Sequence, residues 1–203
     1  VMGCTEPAAI ALAAALATDA ARGREAEWVR GGKHRSPAST RGELTLEHLQ
    51  VRTVRSLYKN ALAVGIPNTE GGSGIYLAAA LGPQLDPGAG INLLKGIDGE
   101  ALRAARALLG SGQLGITVED REAGTLFVEA QVIGVFDGER HVGEAHIEGA
   151  HDRVVRIRRD GRVLFERTDP YEAADPNAMA ELARCDLPAL VRLARGIDDE
   201  ARA

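Results

Sequence analysis

Cys4, in the stretch GCTEPAAIALAAA, is the side chain with the most chemistry to offer. A thiol just ahead of a helix faces unpaired N–H groups and the positive end of the dipole, which stabilise a thiolate and lower its pKa. Such a cysteine serves as a metal ligand or a nucleophile. The plainer reading is a small buried core residue. A second candidate is YKNALAVGIPNTEGGSG at 58–74, where Lys59 and Asn60 precede Pro67-Asn68-Thr69 and then Gly71, Gly72 and Gly74. Glycines ahead of a helix expose N–H groups that hold a carboxylate or phosphate, or they only turn the chain. The spacing is not that of a nucleotide P-loop. Lys59 also suits a Schiff base with pyridoxal phosphate, or is simply a solvated lysine. His141, His146 and His151 recur every five residues, which sets neighbours on opposite faces of a continuous strand, and no HExxH or CxxC pattern accompanies them. Arg153, Arg156, Arg158, Arg159, Arg162 and Arg167 make a basic hairpin, read as a solvated face or as an anion or partner contact. Cys185, in AELARCDLPAL, is read as packing.

The elements that must position these groups follow from pattern. Thr5 suits an N-cap and Pro7 a first helical turn, so the alanine-rich segment predicts a buried helix to about Arg22, stopped by Gly23. Residues 30–43 read as a polar surface loop. LTLEHLQVRTVRSLY (44–58) predicts a strand, IYLAAALG and INLLKG short apolar helices, and 99–112 an amphipathic helix ended by Gly110. Five β-like runs fill 114–166, with Asp137-Gly138 and Asp160-Gly161 where tight hairpin turns belong. The expectation is an α+β fold with a small, mainly antiparallel sheet covered by the 99–110 helix. Its divisions are a helical part at 1–111, a sheet subdomain at 112–168 and C-terminal helices at 169–203, the last of them started by Pro188.

Composition narrows the function classes. The apolar share is 45% with only 3% aromatics, so the core is built from Ala, Val, Leu and Ile in close backbone contact. A net charge of −5 disfavours a nucleic-acid or membrane-surface role. Two cysteines make no disulfide framework and fit a reducing cytoplasm. No apolar run reaches the roughly 20 residues of a membrane helix, and residues 6–17 lack the basic lead-in of a signal peptide.

GCTEPAAIALAAA (3–15), LYKNALAVGIPNTEGG (57–72) and AHDRVVRIRRDGRVL (150–164), in that order, resemble the iron–sulfur L-cysteine desulfidase family, related to the alpha part of iron–sulfur L-serine dehydratases. The Gly-Cys-Thr-Glu-Pro string is the most specific of the three and the last the loosest. The resemblance spans nearly the whole chain but only the N-terminal half of that family's sequence.

It implies an enzyme that performs β-elimination on a small amino or hydroxy acid. Cys4 would be one ligand of a [4Fe-4S] cluster, the others coming from a cysteine-containing second subunit or C-terminal half. An iron left open would act as a Lewis acid. By the same resemblance Lys59, Asn60 and His151 are catalytic, and Thr5, Glu6, Asn68, Thr69, Gly71 and Gly72 bind substrate. The implied protein is a cytoplasmic oligomer with a small-molecule substrate. Cys185 matches no ligand position. Three departures stand out: Ile66-Pro67-Asn68-Thr69-Glu70 replaces Ile-Pro-Gly-Thr-Gly, His151-Asp152-Arg153 replaces His-Thr-Asn, and 30–43 looks inserted. The different-class alternative is a non-catalytic small-molecule-binding or regulatory module, with a pyridoxal enzyme third.

Overall fold

The computed structural model describes residues 5–24, 44–121, 125–169 and 184–192. Those through Thr168 form one compact unit and those from Asp169 a second. The expectations for Cys4, for the loop at 30–43 and for 175–183 lie outside the described residues.

Helix α1 (Glu6–Ala21) is apolar on every side, and all of it from Pro7 to Ala21 except Asp19 is buried. A helix of that kind belongs inside a core, not along its surface. Thr5 does stand at the N-cap position, but its side chain makes no capping hydrogen bond and its backbone is already helical. Gly23 ends the helix in the left-handed conformation, φ 74°.

The sheet has six strands in the order β2-β1-β3-β4-β5-β6: β1 (Thr45–Val54), β2 (Leu114–Glu119), β3 (Phe127–Phe136), β4 (Glu139–Glu148), β5 (Val154–Arg159) and β6 (Arg162–Glu166). β1 pairs with β2 in parallel, and every other pairing is antiparallel. A parallel pair needs a long crossover. Here it runs through α2 (Arg55–Ala61), α3 (Ile75–Leu81), two 3-10 segments (Gly82–Gln84 and Pro87–Gly96) and α4 (Gly99–Ser111). The β3–β4 and β5–β6 hairpins turn on Asp137-Gly138 and Asp160-Gly161, all four residues at φ 50–82°, the geometry whose twist matches paired strands.

The fold is thus α+β with a mainly antiparallel sheet, as the sequence predicts, but the covering helix differs. It is α1, not the 99–110 segment, that lies across β3, β4 and β5, while α4 packs on α3. α1 takes that place because its alanines let backbone approach backbone. A Cβ on Gly143 of β4 would collide with the Ala17 carbonyl and the Ala21 amide. One on Gly82 would lie 2.5 Å from both the Ala11 carbonyl oxygen and Ala14 Cβ. Branched side chains on either partner would force these elements apart.

Two of the described helices start from polar caps. Asp98 accepts a hydrogen bond from the Ala101 N–H at 2.8 Å, and α4 ends at Gly112 (φ 74°), two residues past the expected Gly110. In the second unit residues 187–192 are helical, and Asp186 caps them by accepting from the Ala189 N–H at 2.8 Å, with Pro188 in the first turn as expected.

Candidate functional site

β1 leaves the sheet at Val54 in extended backbone, and α2 starts at the next residue, so the expected strand stops short of Tyr58. Leu57 and Ala61, one helical turn apart, are the buried face of α2. That rotation leaves Lys59 and Asn60 exposed. Asn60 Nδ2 then donates to Glu6 Oε1 of α1 at 3.0 Å. Two stretches separated by some fifty residues, each carrying candidate site residues, therefore meet at the first turn of α1. Thr5 adjoins this contact in sequence and is half-buried. Nearby in the crossover, burial and the neighbouring Tyr58 hold the Tyr76 hydroxyl's pKa above its ordinary value.

The loop that follows is locked by its own hydrogen bonds. Ile66 N–H donates to the Gly72 carbonyl at 2.9 Å, Gly72 N–H to Thr69 at 3.1 Å and Gly74 N–H to Val64 at 2.9 Å. Thr69 is buried and its hydroxyl donates to the Ile66 carbonyl at 2.6 Å. Its role is to hold the loop, and two of the glycine amides that could face an anion are spent within it. Gly71 and Asn68 are exposed on the rim, and Asn68 Nδ2 reaches the Lys95 carbonyl at 3.5 Å.

Asn68 and Glu70 are the positions where the sequence carries side chains in place of the expected glycines. Both adopt left-handed backbone, φ 59° and 58°. The loop keeps a glycine-type conformation without glycine there, at a cost of about 1–2 kcal/mol per residue. Glu70 partly offsets this by pairing with Arg106 of α4 at 3.0 Å. Arg106 also reaches the Thr69 carbonyl at 3.5 Å. Nothing in the sequence marks this arginine, because only the docking of α4 on α3 brings it to the loop.

His151 lies half-buried in the turn between β4 and β5. The strand pairings put Val54, Val128, Ile147 and Val154 at one end of the sheet, so the exit of β1 into α2 and the turn of His151 open at the same end. Among the described residues no hydrogen bond or ion pair joins His151 to Asn60. No three His, Cys, Asp or Glu side chains among the described residues stand together as a metal-holding group. Cys185 is half-buried in the second unit. Among the described residues no helix is long and apolar enough to cross a membrane.

No family model matches the chain. No solved structure matches it either. Among curated proteins it is 32% identical over 199 residues to a UPF0597 protein of Nitratidesulfovibrio vulgaris, covering 97% of this chain and 39% of that protein. It is 32% identical over 208 residues to a UPF0597 protein of Desulfatibacillum aliphaticivorans, covering 98% and 42%. Against UPF0597 protein YhaM of Salmonella paratyphi B the identity is 30% over 178 residues, covering 87% and 35%. These relatives correct the family reading drawn from the motifs: they bear the name UPF0597 protein and not that of an L-cysteine desulfidase or an L-serine dehydratase subunit. The chain is similar along nearly all of its length to UPF0597 proteins, of which it spans about two fifths.

Proposed function

We propose that this chain is one part, or one subunit, of a lyase that performs β-elimination on a small amino or hydroxy acid. The observation that carries the reading is the hydrogen bond from Asn60 to Glu6, which brings a carboxylate and an amide together at the first turn of α1, with Lys59 beside Asn60 in the sequence of α2. β-Elimination needs a base for the α-proton, a cation or donors for the substrate carboxylate, and help for the leaving group. Glu6, with one oxygen fixed by Asn60, is the group placed to take a proton. Lys59, exposed on the next position of α2, offers a cation to the substrate carboxylate. Asn68 and Gly71 form the exposed rim of the adjoining loop, and Thr69 and Arg106 keep that rim in place.

The reading includes a [4Fe-4S] cluster with Cys4 as one thiolate ligand and the remaining ligands from a partner subunit or a further part of the same protein. Such a group supplies Lewis acidity at the leaving group. The test is pyruvate release from L-cysteine and L-serine by the anaerobically purified protein with its partner. Turnover that falls at least about tenfold in Asn60→Ala while the fold is retained supports the reading; no turnover of either substrate by iron-loaded protein overturns it.

A further inference from the structure

The face of the sheet turned away from α1 carries a groove of about 170 Å³, lined by Arg52, Glu129, Glu144, His146, Arg156 and Arg158. Strand alternation puts them together: Val51, Ala130, Ala145 and Ile157 point into the core, and their neighbours point outward. The register then sets Arg52, Glu129, His146 and Arg156 in one row across four strands, with Gln131, Glu144 and Arg158 in the next.

The two sides of this groove differ. On β1, β3 and β4 the polar groups are engaged: Arg52 Nε donates to Glu129 at 3.0 Å, and Gln131 Nε2 donates to Glu144 at 2.9 Å. On β5, neither the Arg156 nor the Arg158 side chain makes a hydrogen bond or ion pair among the described residues. Arg158 Nε and His146 Nε2 are both shut off from water without a hydrogen-bond partner. Glu148 Oε2 lies 3.2 Å from His146 Nε2, but outside hydrogen-bonding geometry. Buried nitrogens without partners are uncommon in folded proteins, and these two line the groove as polar groups that a bound molecule would satisfy.

We propose that this groove binds a free α-amino acid with a small side chain, its carboxylate held by Arg156 and Arg158 and its ammonium by Glu144 and Glu129. The arginines stand two residues apart on one strand, about 6–7 Å, so one carboxylate fits between their guanidinium forks. The acidic strand lies about 4.8 Å away. Positive and negative walls that close together select a zwitterion over a simple anion, because a phosphate would meet the Glu144 carboxylate. Burial holds the His146 imidazole's pKa below its ordinary value, which leaves a neutral ring beside the ammonium. The volume of about 170 Å³, that of about five or six waters at ~30 Å³ each, leaves room for a small free amino acid. The groove is on the opposite face of the sheet from α1, so this inference does not rest on the lyase reading.

Titration calorimetry of the full chain with L-alanine, which has no β-leaving group to eliminate, tests it. Propionate and ethylamine each lack one of the charges. Saturable binding of L-alanine is expected, weakened about tenfold or more (about 1.4 kcal/mol) for either analogue and by Arg158→Gln, Arg156→Gln or Glu144→Gln. Arg162→Gln, at the start of β6, and Glu6→Gln leave it unchanged. The inference is overturned by no saturable binding of L-alanine. It is equally overturned if propionate or inorganic phosphate binds as tightly, or if binding is lost in Glu6→Gln and kept in the folded groove variants.

Discussion

Asn60 Nδ2 donates to Glu6 Oε1 across 3.0 Å, tying the outer face of α2 to the first turn of the buried helix α1. The pair lies at the protein's surface, with Asn60 exposed and Glu6 half-buried. Its contribution to folding is accordingly small and its contribution to geometry large.

Asn60→Ala is expected to cost no more than about 0.5–1.5 kcal/mol of stability while lowering kcat/KM at least about tenfold. Urea denaturation beside steady-state kinetics separates the two. Equal activity in wild type and Asn60→Ala would remove the pair from the site.

The close approach of β4 to α1 sets a second expectation. Gly143→Ala puts a methyl group into the backbone of α1 and should destabilise by at least about 1–3 kcal/mol. Gly96→Ala, with nothing within 4 Å of the new Cβ, should change stability by less than about 0.5 kcal/mol. Denaturation midpoints for the two variants, read against wild type, decide the matter.

Asn68 holds its left-handed backbone at φ 59°. A β-branched residue tolerates that conformation poorly, so Asn68→Val should destabilise by about 1–2 kcal/mol, and Asn68→Gly should be neutral or better. Thermal melts of both variants check this; a Val variant as stable as the Gly one would mean that the loop does not keep this conformation.

His146 gives a pH expectation. Burial is the main reason its pKa lies below 6.5, with Arg156 and Arg121 acting in the same direction and Glu148 and Glu129 opposing. On acidification the unfolded chain takes up a proton before the native one does, so the unfolded state binds more protons in that window and stability rises with pH. The contribution is complete above 6.5 and declines as pH falls from there until the native imidazole is also protonated. Stability measured between about pH 5 and 7 should show a shallower slope in His146→Gln than in wild type.

Much of the architecture was legible in the sequence. An all-apolar run predicts a helix buried on every side, and α1 is one. Asp-Gly pairs predict two-residue turns, and both hairpins have them. What the sequence did not carry was partnership across the chain. The parallel pairing of β1 with β2 spans a crossover of five helical segments and an irregular loop, and no local pattern encodes it. Pairing also decides which outward polar residues become neighbours, so the row of Arg52, Glu129, His146 and Arg156 is invisible until the register is known. Thr69 shows the opposite limit: its motif suggested a substrate contact, whereas its hydroxyl is bonded inside its own loop.

The most direct measurement for the lyase reading is iron and acid-labile sulfide in the protein purified anaerobically with its partner, comparing wild type with Cys4→Ser. About four irons per assembly, lost in Cys4→Ser, is the expected result. No iron in wild type, or the same iron content in both, would contradict it.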